Sequence, residues 1–213
     1  MTWQIAYAIK NIVESRAVIA AQPLRGDAIQ IAVRDRPDII SVVSAAHTIN
    51  ADVASAYHRE FPNMDFLCGF RSECVWEGGA IDYVEGSGVG WGSLGTLGSA
   101  ILDDNVQSAA HKTYFFANRL IRQLREVRGV RREYDRILRI TLLSGQDVRL
   151  GLVASYEPTA DSIRSMWERF GPINVAWNIN PNGDPTLSAI EAGRQLGCEV
   201  MKWDELKAYL RRM

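Results

Sequence analysis

Cysteine and histidine are scarce in this chain, net charge is nearly absent, and no long apolar run occurs; each shortage closes off a class of protein. Only Cys68, Cys74 and Cys198 stand among 213 residues, with no Cys-x-x-Cys pair. They cannot form a closed disulfide set, so a reducing cytoplasm is expected. His47, His58 and His111 show no His-x-x-x-His spacing, which leaves no local zinc motif and no metal site to assign. The longest uncharged run, Gly86 to Leu102, is interrupted by Gly88, Gly90, Gly92, Gly95 and Gly98. It reads as a turn-rich segment and not as a membrane helix. Lys10, Glu14 and Arg16 fall where a secretory signal needs unbroken apolar residues, so no export signal and no membrane partner are expected. No heptad, Gly-X-Y period or self-similar block of about 20 to 50 residues is visible.

What is present is an ordinary globular composition, 47% apolar with 24 Lys and Arg against 25 Asp and Glu. Charge is nonetheless segregated. Residues 25–110 carry 5 basic and 12 acidic side chains, whereas residues 111–139 carry 9 and 3. Such asymmetry points to polar partners of definite sign.

The C-terminal third is the most legible. Val148–Val153, Ile173–Trp177 and Glu199–Met201 read as strands, separated by helical patterns with Thr159 as one N-cap, Asp184-Pro185 as another start, and Gly171 and Gly197 as stops. A recurrence of about 25 residues suggests βα units and parallel pairing. Further upstream, Ile29–Val33, Ile39–Val43, Asp65–Cys68 and Ala80–Val84 read as strands and Ala51–Phe61 as a helix. Between the halves, Val106, Ala110, Thr113, Ala117, Leu120, Ile121, Leu124 and Val127 form one stripe of a helix from about Asn105 to Arg128, ended by Gly129. Ile137–Leu143 and Asp147–Val153 follow as two strands joined by a short turn at Ser144-Gly145. The expected fold is therefore α/β, a Rossmann-like three-layer arrangement with a mainly parallel sheet, a C-terminal βαβαβα unit and one long central helix. The expected division is an N-terminal α/β half over 1–104, the central basic helix and its connection over 105–134, and a C-terminal α/β half over 135–213, together one compact domain.

Three constellations could carry chemistry. The loop Asn178 to Thr186 leaves a strand and opens a helix, where parallel sheets bind ligands and where helix N–H groups favour anions. Tyr156, Thr159, Asn178, Asn180, Asn182, Gly183, Thr186 and Lys202 are its candidate ligand-binding residues, although the same residues make good turns and caps. The basic helix offers Lys112, Phe115, Arg119 and Arg122 to a phosphate backbone and stacked bases, or else forms a solvated face or oligomer interface. Glu73, Glu77 and Asp82 could act as catalytic acids or bases or hold Mg²⁺. The expected function is the binding or sensing of a phosphate-bearing ligand, nucleotide or nucleic acid, by a dimer or other homo-oligomer, with no reaction assigned. The alternatives are a metal-dependent nuclease or phosphoesterase, which alone would require Mg²⁺, and a structural oligomerisation module.

Overall fold

Strands joined by a few residues must pair antiparallel, because a parallel crossover needs a dozen residues or more. That rule shapes both halves of the chain. The computed structural model describes Met1–Met213, apart from the side chains of Lys112 and Thr113, and separates the chain into Met1–Lys112 and Thr113–Met213.

The first unit begins with helix α1 (Trp3–Ile12), which buries Ile5, Ala8 and Ile12 at helical spacing. Strands β1 (Val18–Pro23), β2 (Ala28–Val33) and β3 (Ile39–Ser44) then form an antiparallel meander. Helix α2 (Ala51–Glu60) carries the chain to β5 (Phe66–Gly69), and α3 (Gly78–Gly86) carries it to β7 (Gly90–Gly92). Both of these strands join the sheet in parallel, giving the order β1-β2-β3-β5-β7. Helix α4 (Leu94–Asp103) closes the unit. Two short strands, β4 (Thr48–Ile49) and β6 (Val75–Trp76), make a separate parallel pair. Alternation along the sheet sends Ala28, Val42 and Leu67 to a core with α2 and α3, while Ile29, Ile31, Val43 and Phe66 pack with α1 and α4.

The second unit repeats this order. Helix α5 (Lys112–Arg122) precedes the meander β8 (Val127–Tyr134), β9 (Ile137–Leu142) and β10 (Asp147–Val153). Helix α6 (Ala160–Phe170), β11 (Val175–Asn178), α7 (Leu187–Gln195), β12 (Glu199–Met201) and α8 (Trp203–Arg212) follow, with β10, β11 and β12 parallel. Ala117 and Ile121 of α5 and Leu206 and Leu210 of α8 share one core with the sheet.

The two units share one spacing as well as one topology. First residues stand 109 apart in Trp3 and Lys112, Val18 and Val127, Ala28 and Ile137, Ala51 and Ala160, Phe66 and Val175, Gly78 and Leu187, Gly90 and Glu199, and Leu94 and Trp203; β3 and β10 differ from this by one residue. At the same spacing, Ala8 and Ala117, Ile12 and Ile121, Ile31 and Ile140, Phe61 and Phe170, Ala80 and Ala189, and Leu97 and Leu206 are identical and buried. Backbone bonds also match. Glu77 N donates to Ile49 O at 3.0 Å as Thr186 N does to Pro158 O at 3.0 Å, and Phe70 N donates to Ser44 O at 2.9 Å as Ile179 N does to Val153 O at 2.9 Å. Pro158 and Pro185 occupy the places of Ile49 and Trp76. Proline lacks the N–H a ladder needs, which accounts for a β4-β6 pair in the first unit alone.

Several expectations are corrected. The fold is α+β with mixed sheets, three in number, and not one mainly parallel Rossmann-like layer. In each five-stranded sheet, half of the pairings are antiparallel, because the meander connections are too short to cross over. The long central helix is replaced by a 3₁₀ turn (Val106–Ser108), α5 and the start of β8. It stops early because Gln123 N and Leu124 N bond back only three residues, to Leu120 O and Ile121 O. Gly129 lies inside β8 instead of capping a helix. Residues 80–84 belong to α3, where Ala80, Ile81 and Val84 have helical spacing, and the glycine-rich run contains β7 and α4, the latter started by a Ser93–Thr96 capping box. Helix α7 starts from Thr186 and not from Asp184. Among the described residues, no helix is long and apolar enough to cross a membrane.

Candidate functional site

The Asn-rich loop satisfies much of its own polarity. Asn178 Nδ2 donates to Gly183 O at 3.2 Å, Asn180 N donates to Asn178 Oδ1 at 3.1 Å, and Asn182 N donates to Asn180 Oδ1 at 3.1 Å. Gly183 is packed so closely that a Cβ there would overlap the Tyr156 carbonyl. Thr186 Oγ1 donates to Pro158 O at 2.9 Å and accepts from Ala189 N, while Thr159 caps α6. Asn178, Asn180 and Lys202 do share a cleft; exposed Tyr156, Thr159 and Asn182, half-buried Thr186 and buried Gly183 are not in its lining. Lys202 Nζ is committed to Asp184 Oδ1 at 2.9 Å.

That C-terminal cleft, about 590 Å³, lies beyond the carboxyl ends of β11 and β12, between α5 and the start of α8. Its wall stacks Trp177 on Trp203 with centroids 4.9 Å apart. Asp204 and Glu205 stand in the first turn of α8, and Glu205 Oε2 accepts from Lys202 N at 2.9 Å. The hydrogen bond and charge of Lys207 hold the Asp204 carboxyl below the ordinary range.

The corresponding N-terminal cleft is one that the sequence did not reveal. It measures about 750 Å³ and lies beyond β5 and β7, between α1 and the start of α4. The lining residues Tyr7, Asn11, Phe70, Arg71, Ser93 and Gly95 stand 109 positions before Phe116, Leu120, Ile179, Asn180, Lys202 and Asp204 of the other cleft. One place in the fold is thus hollow twice. Trp3, Tyr7 and Phe70 form an aromatic trio with centroid separations of 5.4 to 5.7 Å, and Trp3 is 71% exposed. Arg71 contributes a cation whose Nε also donates to Ala45 O at 2.6 Å. No carboxylate appears in the lining among the described residues. Ser93 caps α4, and the N–H groups of Leu94 and Gly95 precede the intrahelical ladder. Ser15 Oγ, buried in this wall, has no hydrogen-bond partner in the protein.

The other candidates remain apart from these clefts. Phe115, Arg119 and Arg122 are exposed on α5, though Arg122 Nη2 donates to Val130 O at 2.8 Å; the Lys112 side chain lies outside the described residues. Further along, Arg139 and Arg149 close on Glu133 at 2.6 Å each, and Arg136 holds Asp135 at 2.8 Å. Burial alone would raise the Glu133 carboxyl, but hydrogen bonds from Arg149 and Arg139 reverse the effect and leave it below its usual range. Much of the positive charge is therefore balanced within the second unit. Glu73 and Asp82 are exposed, Glu77 precedes α3, and no group of three or more potential metal ligands occurs among the described residues.

No family model, curated protein or solved structure matches this chain.

Proposed function

We propose that this protein binds a nucleotide, or another phosphate-bearing aromatic ligand, in the N-terminal cleft. The observation that carries the reading is the pairing of an aromatic trio, of which Trp3 and Tyr7 are exposed, with Arg71 and a serine-capped helix start in a cleft whose described lining holds no carboxylate. Flat rings offer a stacking surface for a base, worth about 1–3 kcal/mol per base. Arg71, Ser93 and the first-turn N–H groups of α4 supply positive potential and donors for phosphate. The glycines at 95 and 98 lower the wall, since a Cβ at Gly98 would meet no protein atom within 4 Å. The volume falls in the usual range for small-ligand sites. The reading is of a binding or sensing module, with no bond-making step assigned.

Calorimetric titration with adenosine monophosphate tests the reading. Wild type is expected to bind it, Trp3→Ala to lose about tenfold or more, and Gly98→Leu to block the cleft while leaving the melting temperature nearly unchanged. Absence of binding at millimolar nucleotide, or unchanged affinity in both variants, overturns the proposal.

A further inference from the structure

The repeated hollow does not repeat its electrostatics. Where the N-terminal cleft has Ser93-Leu94-Gly95-Thr96 at its helix start, the C-terminal cleft has Lys202-Trp203-Asp204-Glu205. Where the first has Arg71, the second has the neutral amide of Asn180. Lys202 is its lining cation among the described residues, and Asp184 neutralises it at 2.9 Å. Two carboxylates thus occupy the positive end of α8, where a phosphate would otherwise sit: Asp204 is paired with Lys207 at 2.6 Å, and Glu205 accepts from Lys202 N. An anion entering here finds the cations and the helix end already matched by carboxylates, whereas an uncharged ligand needs neither.

We infer that the C-terminal cleft is a second binding site, selective for an uncharged planar aromatic ligand of nucleoside or nucleobase type. Phe116, 60% exposed, supplies a ring to stack on, and Leu120 and Ile179 complete an apolar wall. Trp203 itself is less available, because Trp177 stacks on it and Lys207 Nζ lies 5.5 Å from its ring centroid. One donor suits the acceptor edge of a base. The Asn180 amide uses its oxygen to accept from Asn182 N, which leaves Nδ2 to donate. Adenine, with ring nitrogens that accept and no formal charge, matches it.

The inference rests on the lining of the second unit and not on nucleotide binding in the first. Its test therefore uses the whole 213-residue chain carrying Trp3→Ala and Arg71→Ala, which disables the N-terminal cleft. Adenosine and adenosine monophosphate are titrated into this background, followed by calorimetry and by tryptophan fluorescence. Adenosine is expected to bind and to perturb the emission of the Trp177–Trp203 pair, with the monophosphate at least fivefold weaker. Adding Phe116→Ala is expected to weaken adenosine about tenfold, and adding Asp204→Ser to narrow the gap between the two ligands. Failure of adenosine to bind, equal affinity for the monophosphate, or indifference to Phe116→Ala each overturns the proposal. Loss of nucleotide binding by wild type with adenosine binding retained in this background would overturn the first site and leave the second standing.

Discussion

Glu133 is held by three arginines, with Arg139 and Arg149 at 2.6 Å and Arg131 at 3.4 Å, and its side chain is 12% exposed. Hydrogen bonds to a charged group are worth about 1.5–3 kcal/mol each, partly offset by the cost of desolvating it. Glu133→Gln is expected to lower stability in urea at neutral pH by about 1–3 kcal/mol. The sign of the pH dependence follows from the lowered folded pKa. The contribution is complete above the ordinary Glu value and is lost as pH falls through the lowered folded value, so wild type and variant converge as the solution is acidified below the ordinary Glu range. Parallel urea titrations at neutral and acid pH check this; a gap that widens on acidification contradicts it. Gly183→Ala should be costlier, since a methyl group would overlap the Tyr156 carbonyl, and a loss of about 3 kcal/mol or more is expected by thermal unfolding.

Elements were legible in proportion to their punctuation. Thr159 with Ile163, Met166 and Phe170 announces α6, and its cap and buried stripe are as the spacing implies. The caps Asn50 and Thr159 sit at matching positions before Ala-Asp pairs, and each side chain accepts from the third residue on. Thr159→Ala and Asn50→Ala are each expected to cost about 1 kcal/mol, measurable as a lowered urea midpoint with unchanged slope. Helix α4 was hidden because Gly95 and Gly98 lower helix propensity, while Leu97, Ala100 and Ile101 supply the compensating burial. Residues 80–84 are too few to distinguish periods of 2 and 3.6. Pairing direction was misjudged for a different reason. A 25-residue recurrence describes β10, β11 and β12 but says nothing of the meander before them. At the candidate site, the parallel strand ends pointed to the C-terminal cleft through Asn180 and Lys202. Its N-terminal counterpart escaped notice because Trp3, Phe70 and Ser93 are far apart in sequence and carry no motif.

For the whole molecule, the shared 109-residue spacing implies that each unit contains a full set of layers: an opening helix, a meander, two crossovers and a closing helix. The second unit has its own core around Ile121, Leu150, Trp177 and Leu206. Residues 113–213 produced alone are therefore expected to give a cooperative thermal transition with far-UV circular dichroism of a mixed α and β protein. A featureless melt would show that this core needs the rest of the chain. Repetition was invisible in sequence because identity is confined to scattered core positions, while at others only burial is shared: Phe66 answers to Val175 and Leu67 to Ala176, positions filled by different side chains.

The strand order leaves β1 and β8 at corresponding edges of their sheets. Strand β8 carries Arg128, Arg131, Arg132 and Glu133, whereas β1 reads Val-Ile-Ala-Ala-Gln-Pro and holds Ile19 at 65% exposure. Unpaired N–H and C=O groups on an edge recruit strands from other molecules unless charge or proline discourages them. One border is thus guarded by like-charge repulsion, and the other only by Pro23 at its end. The self-association hazard of this chain is concentrated at β1, where concentrated or partly opened protein would first begin to template cross-β growth.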